Sequence, residues 1–317
     1  MKYGSAVAMC LALLAGCASS QKTAPDASSP GPSAKPSEPT EPPTQASTAP
    51  AEAPVVWPAA SDCSGARCFA FDSPKLAMRA LLERRDPLII GFGEAHAPSD
   101  FHGATTVARF TDELLPVLAP RGSALLVELL APPAGGCEEA RAAAQQESNE
   151  ITTGQSASNQ NEYLALGNQA RALGLVPDIL RASCADMEAI RAAGEMGVVV
   201  IMETIARLTS LAVESRRARA PADRPLVFAY GGALHNDLTP REERTTWSYG
   251  PPLSRSSGGR YLEVDLLVPG LVPSGHSYAW SAPYEWTQSA PASTWLVEVG
   301  EASWALVFPR APASATP

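Results

Sequence analysis

Leu88-Ile89-Ile90-Gly91-Phe92, running straight into Gly93-Glu94-Ala95-His96, is the stretch that decides the fold. It is a short, nearly continuous apolar run behind Asp86-Pro87, which predicts a strand buried on both faces, as in a parallel sheet. Leu226 to Tyr230 repeats the arrangement and leads through Gly231 into Gly232-Ala233-Leu234-His235. Each strand therefore ends on a Gly-x-x-His tetrapeptide, and the two tetrapeptides use two of the four histidines in the chain. Loops leaving the carboxyl ends of parallel strands converge on one edge, so His96 and His235 are expected to meet there.

Working outward, Thr105 to Leu118 carries Val107, Phe110, Leu114 and Leu118 near helical spacing, with Pro116 expected to kink or end the helix. Gly122 to Leu130 predicts the next buried strand, interrupted near its carboxyl end by Glu128. Helices are expected from about Glu138 to Glu147 and from about Asn161 to Leu173, with Gly174 as a stop. Leu175 to Leu180 is a third strand weakened by Pro177, and Asp186 is placed to cap the helix after it. Val198 to Val213 begins with four residues that alone suggest strand, but its length favours helix. Tyr261 to Val268 is a further strand, and Trp295 to Val299 with Trp304 to Phe308 suggests a hairpin turning around Gly300. The expected fold is α/β: a largely parallel central sheet flanked by helices, with a C-terminal antiparallel hairpin.

The first 60 residues have another character. Lys2 followed by an apolar stretch from Ala6 to Gly16 predicts a signal peptide over residues 1–16, too short to span a bilayer. Leu14-Ala15-Gly16-Cys17 resembles the bacterial lipobox, which implies lipidation of Cys17, a membrane anchor and a place in the cell envelope. Ala18 after the cysteine would favour outer-membrane sorting. Residues 17–60 are rich in Pro, Ser, Thr and Ala, and hold ten of the 30 prolines between Pro25 and Pro58. Such a segment cannot bury a core and is expected to act as a disordered tether, reaching on the order of 100 Å at ~3.1 Å per residue. Residues 61–317 remain for a single α/β domain.

The chain carries a formal net charge of −9, with acidic residues dispersed rather than blocked. This disfavours nucleic acid as a partner and fits a solvated surface. With Cys10 in the signal peptide and Cys17 assigned to lipid, Cys63, Cys68, Cys137 and Cys184 are left, an even number in an exported chain. Three pairings exist on paper. The closeness of Cys63 and Cys68 favours a small loop, leaving Cys137 with Cys184; the functional alternative is a catalytic thiol at Cys137.

Glu94, His96, Glu128 and His235 all fall at expected strand exits. Imidazole nitrogen and carboxylate oxygen suit Zn, Mn, Fe or Co, and a divalent metal with an open position turns bound water into a nucleophile. One of the two glutamates need not be a ligand and could serve as general base. Any one of these residues alone is more often structural; their coincidence carries the argument. His102 offers a further ligand, a haem contact or an exposed helix-start histidine, and His276 is expected on the surface. No Gly-x-Ser-x-Gly elbow, Walker loop, His-Glu-x-x-His helix or Gly-x-Gly-x-x-Gly turn is present.

Ile89 to His96, with a later histidine at His102, and Phe228-Ala229-Tyr230-Gly231-Gly232-Ala233-Leu234-His235 resemble the ChaN/Tiki-like superfamily. Paired Gly-x-x-His motifs with a strand-end glutamate, here Glu128, resemble Tiki-type metalloproteases, whereas the Gly-Glu-x-His opening is similar to haem-binding ChaN lipoproteins. A more distant likeness is to erythromycin esterases. The resemblance covers about residues 86 to 268. It implies either a divalent-metal hydrolase acting on a small-molecule or peptide substrate, or a non-catalytic haem- or iron-binding lipoprotein.

Overall fold

The computed structural model describes residues 53–63, 65–152, 159–272, 283 and 292–310. The signal peptide, Cys17, His276 and the aromatic residues Tyr278, Trp280, Tyr284 and Trp286 lie outside the described residues.

The strands are Ser61–Cys63 (β1), Ala66–Phe71 (β2), Ile89–Glu94 (β3), Gly122–Ala131 (β4), Val176–Arg181 (β5), Leu226–Gly232 (β6), Tyr261–Leu267 (β7), Thr294–Gly300 (β8) and Ser303–Val307 (β9). Among the described residues they form one sheet in the order β1-β2-β8-β9-β7-β3-β6-β4-β5. The centre is parallel: β3 lies between β6 and β7, and β4 lies between β6 and β5. β9 pairs parallel to β7 and antiparallel to β8, so the C-terminal hairpin extends the parallel core. β1 and β2 complete an antiparallel flank through β8.

The flanking helices are Pro74–Arg85 (α1), Thr106–Arg109 (α2), Leu115–Leu118 (α3), Glu138–Thr152 (α4), Asn159–Ala172 (α5), Cys184–Ala193 (α6), Gly197–Arg217 (α7) and Gly250–Ser256 (α8). The expected Thr105–Leu118 helix is two short α segments joined by a π turn over Phe110–Leu114. Pro116 has no N–H to donate four residues back; the turn widens just before it, with the Leu115 N–H reaching Phe110 O. The helix after β5 is capped by Ser183, whose hydroxyl accepts from the Asp186 N–H, while Asp186 bonds back to the Ser183 N–H. Asp186 is thus the reciprocal partner in a capping box and not the cap expected from sequence.

Length decides correctly for Val198–Val213, which lies within α7; α7 packs across β4, β5 and β6 and buries Ile201, Met202, Ile205 and Val213. Cys184–Arg217 is long and apolar enough to cross a membrane by composition, but here it supplies a core layer and is divided at Gly194–Met196. One face of the sheet packs Phe92, Phe228 and Tyr230 against Leu81, Phe110 and Leu115. The opposite face packs Leu126, Val227 and Tyr261 under α7 and α8. Burying each such aromatic or leucine contributes about 1.5–3 kcal/mol, so the core holds the strand ends in fixed register.

Cys63 and Cys68 stand at disulfide distance with Cα–Cα 6.0 Å, and so do Cys137 and Cys184 with Cα–Cα 5.7 Å. Cys137 has a left-handed backbone, φ +51°, and follows Gly136, also left-handed at φ +75°. The turn they make brings the β4 exit onto the start of α6.

Candidate active site

The register of the parallel strands sets the site. Glu94, the last residue of β3, pairs with Gly232, the last residue of β6, so both Gly-x-x-His segments leave the sheet side by side. A Cβ added to Gly232 would lie 3.2 Å from His96 Nε2 and 3.9 Å from His235 Cδ2, so both imidazoles border the same glycine. Glu128 reaches that point from β4, where a register shift between Val127 and Leu130 bends the strand. Its Oε2 accepts the Gly232 N–H at 2.8 Å, and its Oε1 stands 3.7 Å from His235 Nε2. The four side chains expected at one edge are brought together, and all four are buried.

Their roles differ. His96 Nδ1 lies 2.9 Å from Glu94 Oε1, and the Tyr163 hydroxyl donates to the same oxygen at 2.6 Å. Tyr230 donates its hydroxyl to Glu94 Oε2. Both carboxylate oxygens of Glu94 are therefore occupied, and the carboxylate fixes His96 with its proton on Nδ1 and its lone pair on Nε2. His235 is fixed in the same tautomer by a different partner, the carbonyl of Trp247, which lies 2.6 Å from Nδ1. Among the described residues its Nε2, like Glu128 Oε1, is buried without a hydrogen-bond partner. Burial pushes the Glu128 carboxyl above its usual range, and the neighbouring His235 and His96 partly oppose that rise.

His235 sits on a loop that folds back over β3, and glycine makes this possible. The Asn236 side-chain amide donates to Gly91 O at 3.3 Å and to Asp265 Oδ1 at 3.0 Å, while the Tyr261 hydroxyl donates to Asn236 O at 2.7 Å. A Cβ at Gly91 would stand 2.0 Å from the Tyr261 hydroxyl, and one at Gly93 would stand 2.4 Å from Asn236 Oδ1. The two β3 glycines clear the space in which the loop is pinned. Behind it, burial raises the Asp265 carboxyl well above its usual range and Glu263 to about 7.

His102 is exposed and is not gathered with the other two described histidines. Among the described residues no group of three or more His, Cys, Asp or Glu stands in a metal-holding array. Tyr163, Asn236 and Asp265 were not singled out from sequence, and Trp247 drew notice there only as the first of the aromatics up to Trp286, with core packing its expected role. Only Asn236, adjacent to His235, carried a local hint; the others act by long-range contact.

No family model matches the chain, and no curated protein matches it. A solved structure titled as a succinoglycan biosynthesis protein is similar over 61% of this chain and 62% of that one, at 10% identity and a TM-score of 0.21. That likeness is too slight to carry an argument about fold or activity.

Proposed function

We propose that this edge is a hydrolytic centre in which His96 and His235 hold a divalent transition metal and Glu128 takes a proton from water. The observation that carries the reading is the matched preparation of the two imidazoles. Each has Nδ1 committed to a fixed acceptor, and each lies against Gly232, where a carboxylate oxygen also stands. Two imidazole nitrogens suit Zn, Mn, Fe or Co, and a two-nitrogen set implies weaker, more exchangeable binding than a closed structural site. Such an ion supplies Lewis acidity, polarising a substrate oxygen and making water easier to deprotonate.

The chain's own residues do the rest. Glu94, with Tyr163 and Tyr230, keeps the His96 ring from rotating. The Gly232 N–H fixes Glu128 by Oε2, leaving Oε1 as the atom that accepts a proton and later returns it to the leaving group. Burial of the four side chains keeps the local dielectric low and strengthens each interaction. In this reading Glu94 is a positioning residue, while Glu128 carries the acid–base duty that the sequence left open between them. The substrate class stays as wide as the resemblance implies, a small molecule or a peptide.

The test is a Co²⁺ titration of the mature chain followed by visible absorption, with metal analysis and a haem titration in parallel. The proposal expects a saturable cobalt spectrum that His96→Ala and His235→Ala abolish, and hydrolysis of an activated ester that Glu128→Gln suppresses with cobalt still bound. A haem Soret band lost on His96→Ala, without divalent-metal binding, would overturn it in favour of a carrier.

A further inference from the structure

A cleft of about 200 Å³ opens between α5 and the edge strand β5, with Val127, Leu129, Tyr163, Leu164 and Ile179 among its lining. Its rim carries Arg171 and Arg181. Among the described residues the one acidic group on the rim, Asp178, accepts from Arg216 Nε at 3.0 Å and sits 3.8 Å from Arg181. Since Arg216 already answers that carboxylate, the rim keeps a net positive charge over an apolar floor.

Gly167 is the second observation. It lies in the middle of α5, where glycine is the poorest residue after proline, and its backbone is not in the left-handed region. Among the described residues outside its own helix, a Cβ there would meet only Pro177 Cβ, at 3.9 Å. Neither backbone geometry nor packing among the described residues calls for a missing side chain. What its absence does is keep the cleft open.

We propose that this cleft binds a short aliphatic chain ending in a carboxylate. The chain lies on Leu164, Pro177 and Ile179, with the buried Val127, Leu129 and Tyr163 beneath them, and the carboxylate meets Arg171 and Arg181. At about 30 Å³ for each water-sized group, the volume suits roughly seven heavy atoms. Guanidinium forks at an exposed rim favour a carboxylate over a neutral head. Tyr163 links this cleft to the active site, since it is buried beneath the cleft as one of its lining residues and its hydroxyl bonds to Glu94. The proposal does not depend on a metal at the histidines.

Calorimetric titration of the mature chain with hexanoate, octanoate and 1-octanol tests it. The expected result is saturable one-to-one binding of the carboxylates, at least tenfold tighter for octanoate than for octanol. The Arg171→Ala/Arg181→Ala variant, which alters only exposed groups, is expected to weaken octanoate about tenfold and leave octanol nearly unchanged. Gly167→Leu is expected to lose both ligands while keeping or raising the thermal midpoint. The proposal is overturned if wild-type protein shows no saturable carboxylate binding, if octanol binds as tightly as octanoate, or if the folded Gly167→Leu variant binds like wild type.

Discussion

Glu94 and His96 are two residues apart and hydrogen-bonded to each other, Oε1 to Nδ1 at 2.9 Å, so the first Gly-x-x-His motif carries its own orienting carboxylate. Partners of this kind set both the tautomer and the basicity of a ligating imidazole, and their loss typically costs 10–100-fold in metal affinity. Glu94→Gln is therefore expected to weaken Co²⁺ binding by about that factor. Tyr163→Phe and Tyr230→Phe, which each remove one bond to the same carboxylate, are expected to have smaller effects. Equal affinity in Glu94→Gln and wild type, read from the cobalt titration, would remove Glu94 from the site's chemistry.

The adjacent glycines of the second motif serve different neighbours, so alanine at each is expected to fail differently. At Gly231 the new Cβ would stand 2.0 Å from Glu128 Oε2, displacing the carboxylate, and overpacking of this kind costs about 1–3 kcal/mol. At Gly232 the nearest atom would be His96 Nε2 at 3.2 Å, which crowds the space between the imidazoles with little strain elsewhere. Urea unfolding should show Gly231→Ala as the less stable protein, while Gly232→Ala stays near wild type and loses cobalt affinity. The reverse order would mean that the space beside Gly232 is packing and not a site.

How much of this was open to inspection in the sequence follows from where each contact is encoded. The parallel core was legible because β3 and β6 are apolar runs of strand length with glycine-rich exits, and the meeting of His96 and His235 follows from their adjacency in the sheet. The β1–β2 hairpin and α1 were not assigned from sequence. β1 has three residues, and α1 scatters Leu76, Ala77, Met78, Ala80, Leu81 and Leu82 around the helix without a clear stripe. The hydrogen bonds that hold the Glu94 carboxylate were beyond sequence as well, because Tyr163 lies 69 residues from Glu94 and no local pattern announces that it donates there.

The cysteine pairs close loops of very different size, with sequence separations of 5 for Cys63–Cys68 and 47 for Cys137–Cys184. Loop-closure entropy in the unfolded chain then makes the longer link the stronger constraint, about 4 kcal/mol against about 2 kcal/mol. Cys137→Ser/Cys184→Ser is expected to lower unfolding stability by more than Cys63→Ser/Cys68→Ser under oxidising conditions. Adding reductant should bring wild type down to the level of a variant lacking both pairs. If reductant leaves the wild-type midpoint unmoved, the thiols are not linked and the entropy argument falls.

The buried acids behind the His235 loop give stability a dependence on pH whose sign is fixed by the direction of their shifts. Burial raises Glu263 from 4.5 to about 7, so between those values the folded state holds a proton that the unfolded state has released. Stability from this group is fully present below about pH 4.5 and is lost as pH rises through about 7, the opposite of an ion-paired carboxylate. At about 1.4 kcal/mol per pKa unit the loss is about 3 kcal/mol. Glu263→Gln keeps an oxygen for the Leu238 N–H, which donates to Glu263 Oε2 at 2.8 Å, and removes the titration. Relieving the charge also eases the neighbouring Asp265, whose own rise is partly due to Glu263. Urea midpoints measured from pH 4.5 to 7.5 should therefore start close together and diverge, with the variant the more stable protein at the upper end. Parallel curves across that range would show that Glu263 has the same proton affinity in the folded and unfolded chains, and the desolvation argument for this cluster would then fail.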